Sequence, residues 1–139
     1  MSSHLYLADT SIWIDLFRLS APARLQERVR LLGRSERLAT NDVVRVEILI
    51  GARTKREFSE VDDELAGLLH LSIDASTWDQ TTKLGFDLRR KGLTVPVPDL
   101  IIAASALEHG AVVIHSDKHF TTIAQHSDLH VESYVEAEI

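Results

Sequence analysis

The chain has 139 residues, of which 45% are apolar and 26% carry a charge, and it contains no cysteine. This length and composition suit one globular domain spanning residues 1–139, and the lack of thiols excludes disulfides, thiolate zinc sites and a cysteine nucleophile. The net charge of −6 arises in residues 92–139, which hold seven acids and one base. Such an acidic excess is unusual in a protein that binds nucleic acid.

Apolar spacing along the chain predicts short strands that alternate with helices. Short apolar runs bounded by polar residues indicate buried strands, and apolar residues three or four positions apart indicate helices. In chain order the predicted elements are a strand at 5–8, helices at 10–19 and 22–33, a strand at 38–39, helices at 43–52 and 56–69, a strand at 71–73, a helix capped by Ser76 or Thr77 and running to 91, a helix at 99–110, a strand at 111–115, a helix at 121–126 and a strand at 130–134.

This alternation predicts an α/β fold in which helices flank a parallel sheet of about four or five short strands. The longest strongly apolar stretch, residues 100–107, is too short to span a bilayer, and residues 1–4 lack the layout of a signal peptide. We therefore expect a cytoplasmic protein without a membrane partner. Ligands bind beyond the carboxyl ends of the strands in such sheets. Asp9, after the first strand, and Asp117, after strand 111–115, are predicted to lie there.

Two further carboxylates interrupt apolar helices. Glu47 has only apolar or small residues three and four positions away, Val43 among them, so it lies on a face that should be buried. Asp99 opens the most apolar helix in the chain. A buried carboxylate is costly unless it is paired, hydrogen-bonded or bound to a metal ion. For Glu47, one alternative is an ion pair with Arg45 or Arg90.

Each of the other acids also has a purely structural interpretation. Asp9 could cap the first helix, Asp99 could complement the dipole of its own helix, and Asp117 could begin a turn. If these three converge with Glu47 on one site, their charges repel unless cations neutralise them. Mg²⁺ or Mn²⁺ suits such a cluster, because hard cations take carboxylate oxygens and keep water ligands for chemistry. Such a cluster suits metal-assisted hydrolysis of a phosphodiester.

Four segments occur in an order that makes the chain similar to a known family. They are residues 9–15 (Asp-Thr-Ser-Ile-Trp-Ile-Asp), Glu47 with Gly51, residues 97–104 (Val-Pro-Asp-Leu-Ile-Ile-Ala-Ala) and residues 115–120 (His-Ser-Asp-Lys-His-Phe). Together they resemble the PIN-domain ribonucleases, specifically the VapC toxins of bacterial and archaeal toxin–antitoxin pairs. The resemblance covers essentially the whole chain.

The resemblance implies a PIN fold, an endoribonuclease that uses one or two Mg²⁺ or Mn²⁺ ions, a homodimer, and inhibition by a cognate VapB-type antitoxin. The implied substrate is RNA, and tRNA or rRNA is expected because similar toxins cut these RNAs. The resemblance also implies a hetero-oligomer with the antitoxin, in which only the antitoxin contacts operator DNA. By this resemblance, the catalytic metal ligands are Asp9, Glu47, Asp99 and Asp117, and the supporting residues are Thr10, Ser11 and Ser116. Setting the four acids aside leaves 15 bases against 17 acids, so the net charge no longer argues against nucleic acid.

The chain departs from the family pattern at two histidines. Some relatives have another acid at the position of His119, and many PIN proteins have Thr or Ser at the position of His115. Either histidine could act as a general acid. The interpretation we favour is that His115 ends a buried strand and that His119 lies in a solvated turn. Trp13 is predicted to pack in the core or at a dimer contact rather than to stack on a base.

Two clusters of basic residues are candidates for binding an RNA backbone. The first lies within residues 18–37 and contains six arginines. The second lies within residues 83–91, and Arg89, Arg90 and Lys91 are its candidate RNA-binding residues. Because charge runs are more often solvated faces, neither cluster is by itself strong evidence.

Other functions fit the sequence less well. A haloacid-dehalogenase-type phosphatase needs a second aspartate two positions after the first, where this chain has Ser11. A response-regulator receiver needs an acidic pair and a lysine that we cannot assign. The remaining alternative is a catalytically silent PIN-like module that binds RNA or protein, whose acids are merely structural.

Overall fold

Five short strands and seven helices make up residues 4–136, the part of the chain that this computed structural model describes. The strands are β1 (Tyr6–Ala8), β2 (Leu38–Thr40), β3 (Leu69–His70), β4 (Val112–His115) and β5 (Val131–Ser133). The helices are α1 (Thr10–Phe17), α2 (Ala23–Arg34), α3 (Asp42–Leu49), α4 (Lys55–Ala66), α5 (Ala75–Arg90), α6 (Val97–His109) and α7 (Lys118–Gln125).

The five strands are parallel and form one sheet in the order β3-β2-β1-β4-β5, which confirms the predicted α/β architecture. The central strand β1 pairs with β2 on one side and with β4 on the other, so the winding of the chain reverses between β1 and β4. A ligand crevice opens beyond the carboxyl ends of the strands at such a switch point. Ala8 lies beside Ile114 in the register, so the residues that follow β1 and β4 meet at the same edge.

Helix α6 and its neighbouring helices pack against the sheet, and the core lies between them. Residues 100–106 of α6 are all buried, as their nearly continuous apolar sequence predicts. Leu7 on β1, Ile102 on α6 and Phe120 on α7 have no exposed surface, and burying each of these side chains contributes about 1.5–3 kcal/mol. Trp13 is 7% exposed and lies in the core, one of the two locations predicted for it. Among the described residues, no helix is long and apolar enough to cross a membrane.

The third strand lies two residues earlier than predicted. Instead of 71–73, it comprises Leu69 and His70, because these residues pair with Ala39 and Thr40 of β2. Helix α4 accordingly ends at Ala66 rather than at residue 69. Strand pairing between distant segments, rather than the local apolar pattern, therefore sets this boundary.

Two helices begin earlier than predicted because aspartates cap them. Helix α5 begins after Asp74, whereas the predicted caps, Ser76 and Thr77, donate their hydroxyl hydrogens to Asp74 Oδ1. Helix α7 begins three residues before the predicted residue 121, because the side chain of Asp117 accepts the backbone N–H of His119. An Asp side chain that accepts a free N–H of the first turn stabilises a helix start.

Candidate metal centre at the carboxyl ends of β1 and β4

Asp9 follows β1 directly and is the N-cap of α1. Its Oδ2 accepts the backbone N–H of Ser11 at 3.0 Å and the Ser11 hydroxyl at 2.7 Å. Its Oδ1 is buried without a hydrogen-bond partner among residues 4–136, and the residue is 2% exposed. The capping interpretation is thus correct for one carboxylate oxygen, and it leaves the other oxygen unpaired where an unpaired polar atom is costly.

Asp99, Asp117 and His119 bring three ligand atoms to within 4.8 Å of one another. Helix α6 begins at Val97, two residues earlier than predicted, so Asp99 lies in its first turn. Asp117 lies two residues beyond β4 and caps α7. His119 Nδ1 is 2.9 Å from Asp99 Oδ2 and 3.2 Å from Asp117 Oδ1. Separate segments of the chain therefore bring potential cation ligands together at one point.

Asp9, Asp99 and Asp117 lie close enough for their charges to interact. Burial, and after it the charges of Asp9 and Asp117, raises the pKa of Asp99 from 3.8 to about 6. Burial also raises the pKa of Asp9, although hydrogen bonds from Ser11 oppose the change, and the charge of Asp117 adds to the increase. All three carboxylates lie at helix N-termini, whose positive ends offset part of this repulsion. A divalent cation would offset much more of it.

Glu47 reaches the same edge through Thr10, the residue after Asp9. The Thr10 hydroxyl donates to Glu47 Oε1 at 2.7 Å. Glu47 is partly buried, less than its apolar helix neighbours predict, and it lines a surface groove between α1, α3 and α4. The alternative of an ion pair with Arg45 is wrong, because Arg45 Nε lies 3.0 Å from Asp62 Oδ1 instead.

Ser11 and Ser116 connect the loops that carry Asp9 and Asp117. The backbone N–H of Ser116 donates to Ser11 Oγ at 3.0 Å, and Ser11 Oγ in turn donates to Asp9 Oδ2. The Ser116 hydroxyl donates to Asp15 Oδ2 at 2.8 Å. Sequence reasoning gave no role to Asp15, although a second acid within the first segment of the resemblance was a signal that could have found it. These hydrogen bonds hold the ends of β1 and β4 in a fixed relation.

The two histidines differ in their surroundings. His115 is fully buried at the end of β4, as predicted, and burial lowers its pKa to about 4. The prediction for His119, a solvated turn, is wrong: His119 lies in the first turn of α7, and its ring contacts Asp99 and Asp117. The reason is the early start of α7, which turns the imidazole towards the acids.

The first basic cluster is largely engaged in contacts within the chain. Arg28 donates to both carboxylate oxygens of Glu132, which tethers α2 to β5. The guanidinium of Arg24 lies 4.6 Å from the centre of the Tyr134 ring. Arg30 pairs with Glu27 one turn earlier on α2. These arginines therefore have local structural partners.

The second basic cluster lies at the end of α5, close to the start of α6. Arg89 lines a surface cavity together with Val97 and Leu100, the residues on either side of Pro98 and Asp99. Arg90 lies over the ring of Phe86 at 5.8 Å rather than beside Glu47. Arg89 thus lies near the start of α6, the helix that carries Asp99, and Arg89, Arg90 and Lys91 are all exposed.

The donor set fits a hard divalent cation. The carboxylates supply oxygen ligands, and His119 adds one imidazole nitrogen to a chain without thiols. A bound cation would pair with the buried Asp9 Oδ1 and would lower the raised pKa of Asp99. The structure brings Asp9, Asp99 and Asp117 together and joins Glu47 to them through Thr10.

Comparison with known proteins identifies the family to which this fold belongs. The model of the PIN domain family matches residues 6–125. Ribonuclease VapC11 of Mycobacterium tuberculosis is 33% identical over 131 residues, which are 92% of this chain and 98% of that protein.

Solved structures show the same fold. VapBC-1 of nontypeable Haemophilus influenzae contains a chain with a TM-score of 0.78 and 25% identity, and the match covers 93% of this chain and 97% of that one. VapBC-5 of Mycobacterium tuberculosis, described as a member of the VapBC family of toxin–antitoxin systems, gives a TM-score of 0.63 at 24% identity, covering 95% and 98%. The chain described here therefore belongs to the PIN-domain family and, within it, groups with the VapC ribonucleases.

Proposed function

We propose that this protein is a metal-dependent endoribonuclease, the toxin of a type II toxin–antitoxin pair, which hydrolyses phosphodiester bonds of tRNA or rRNA. The observation that carries the proposal is the buried, unpaired carboxylate oxygen of Asp9, a residue whose charge interacts with those of Asp99 and Asp117 at the edge of the sheet where ligands bind. The similarity to VapC ribonucleases supports the choice of RNA as substrate.

The proposed ligands of one or two Mg²⁺ or Mn²⁺ ions are Asp9, Glu47, Asp99 and Asp117. When bound, such ions activate a water molecule and stabilise the oxygen that leaves the phosphorus. The residues around them keep the ligands in position: Thr10 orients Glu47, and Ser11 orients Asp9. The N-termini of α1, α6 and α7 add a positive potential that favours an incoming phosphate group.

Arg89, Arg90 and Lys91 are proposed to bind the RNA backbone beside the acids. Arg89 supports this role, because it lines one cavity with Val97 and Leu100, next to Asp99. Cations at this place would bind phosphate groups adjacent to the one that is cleaved, and their contribution would weaken as salt increases.

A cognate VapB-type antitoxin is the proposed protein partner. Solved relatives of the same fold come from VapBC pairs, which supports this partner for the present chain. We also propose a homodimer that forms a hetero-oligomer with the antitoxin and contacts operator DNA only through it. Light scattering of the chain alone and with the antitoxin would measure both assemblies.

A cleavage assay tests the proposed activity. The purified chain, incubated with tRNA and rRNA, should produce discrete fragments with Mg²⁺ or Mn²⁺ and none with EDTA. Asp9→Asn should abolish cleavage, because it removes a charged ligand while its amide oxygen can still cap α1. Asp79→Asn, which changes an exposed aspartate on α5, should cleave normally. Cleavage that survives EDTA would refute the metal mechanism.

Growth of cells that express the chain tests the toxin role. Expression of the wild type should arrest growth, co-expression of the antitoxin should restore it, and Asp9→Asn should be harmless. If the wild type binds RNA but neither cleaves it nor arrests growth, the catalytically silent module is the better description.

A further inference from the structure

Among residues 4–136, His119 is the one potential nitrogen ligand grouped with Asp99 and Asp117. Its Nδ1 lies 2.9 Å from Asp99 Oδ2 and 3.2 Å from Asp117 Oδ1. Two ligands at right angles on one small divalent cation, each about 2.1 Å from it, are about 3 Å apart. Nδ1 forms a hydrogen bond with Asp99 Oδ2 in this structure, and the same spacing would allow the nitrogen and the two carboxylates to share one cation.

The start of α7 fixes the backbone of His119. The backbone N–H of His119 donates to Asp117 Oδ1 at 2.9 Å, so the residue is held by the same cap that begins the helix. The next residue, Phe120, is completely buried and anchors the first turn in the core. The side chain of Asp99 is only 13% exposed, against 44% for His119. The hydrogen bond to Asp117 and the buried Phe120 thus hold His119 beside Asp99, which is itself mostly buried.

A second observation points to a cation at this place. Asp9 Oδ1 is buried and has no hydrogen-bond partner among the described residues. Asp9 is near enough to Asp99 for its charge to raise the pKa of Asp99. An unpaired buried oxygen beside a cluster of ligand atoms is expected where a bound ion completes the site.

We propose that His119 supplies, through Nδ1, a nitrogen ligand to the cation held by Asp99 and Asp117, and that this ligand makes the site prefer Mn²⁺ to Mg²⁺. The inference rests on the proposed nuclease site and specifies which ion that site takes. Mg²⁺ prefers oxygen ligands throughout, whereas first-row transition-metal ions accept imidazole nitrogen readily. An acid at position 119 would give an all-oxygen set, so this residue sets the metal preference of the site.

Calorimetric titration of the full-length chain with MnCl₂ and with MgCl₂ tests the preference. His119→Asp should lower the ratio of the Mg²⁺ and Mn²⁺ dissociation constants by about tenfold or more, chiefly because Mg²⁺ binds more tightly. His126→Asn is the matched control, since His126 is an exposed histidine at the other end of α7, and it should leave the ratio unchanged.

Pulsed electron paramagnetic resonance of bound Mn²⁺ gives a readout that does not depend on cleavage. The wild type and His126→Asn should show nitrogen hyperfine coupling from a ligating imidazole, and His119→Asp should lose it. Mn²⁺ that binds the wild type without this coupling, with a ratio that His119→Asp does not change, would overturn the inference and leave the nuclease proposal intact. Failure of the wild type to bind either ion would overturn the proposed metal site itself.

Discussion

Asp99→Asn should stabilise the metal-free protein while it destroys the metal site. Burial and the charges of Asp9 and Asp117 raise the pKa of Asp99 to about 6, from an ordinary 3.8. The folded state therefore holds a proton more tightly than the unfolded state does. The stabilisation from that bound proton is complete below about pH 4 and is lost as the pH rises through 6. At pH 8, ionised Asp99 thus costs the folded protein about 3 kcal/mol, which the neutral asparagine avoids.

Denaturant unfolding in EDTA, measured at pH 4 and at pH 8, checks this prediction. At pH 8 the variant should be more stable than the wild type by up to about 3 kcal/mol, or roughly 10 °C in Tm. At pH 4 the two proteins should be nearly equal, because Asp99 is then protonated in the wild type as well. Mn²⁺ at 1,000 times its Kd should reverse the order at pH 8, since it stabilises only the protein that binds it, by about 4.1 kcal/mol.

Asp79→Asn serves as the control, since this aspartate is exposed on α5. Its effect on stability should be small and should not depend on Mn²⁺. The reasoning is refuted if Asp99→Asn is less stable than the wild type at pH 8 in EDTA, or if its advantage is as large at pH 4.

Four further predictions concern one hydrogen bond, two glycines and the second basic cluster. Thr10→Val removes the hydroxyl that donates to Glu47, so denaturant unfolding should show a loss of about 2 kcal/mol and the cleavage rate should fall. Gly110→Ala should cost about 1–2 kcal/mol, because residue 110 ends α6 with φ of +63°. Gly33→Ala should instead gain about 0.5 kcal/mol, because it lies within α2 and an added Cβ meets nothing. Alanine at residues 89–91 should weaken RNA binding and flatten its salt dependence by about 0.7 per lost phosphate contact, measured by fluorescence anisotropy.

Each of these has its own control or contrary result. Thr82→Val removes an exposed hydroxyl that bonds only a carbonyl of its own helix, so it should cost less than Thr10→Val. The two glycine variants control each other, and equal signs would contradict the conformational argument. Alanine at Arg24, Arg30 and Arg34 removes the same charge from α2 and should affect the salt dependence less than alanine at 89–91 does.

The sequence predicts the secondary structure well because most elements have a local cause. The nearly continuous apolar run of α6 and its left-handed Gly110 both lie within the segment that they define. The position of β3 has no such local cause, because Leu69 and His70 form the strand by pairing with β2, some 30 residues away in the sequence. A run of apolar residues at 68, 69 and 71 offers more than one place for a two-residue strand.

The sequence draws attention to the four acids because each of them ends or interrupts an apolar element. It does not do so for His119, because the role of this residue depends on a rotation around the start of α7 that brings the ring over Asp99, 20 residues away. The same limit applies to Ser116 and Asp15, whose hydrogen bond joins residues 101 positions apart. Sequence spacing identifies groups that need a partner, and only the packed structure selects the partner.

Two of the proposed metal ligands also start helices, and this affects how mutants of the protein should be interpreted. Asp9 holds the first turn of α1, and Asp117 holds that of α7. Alanine at either position removes a ligand and a cap together, at about 1 kcal/mol for the cap alone. An inactive alanine mutant would therefore leave chemistry and folding confounded, whereas asparagine separates them.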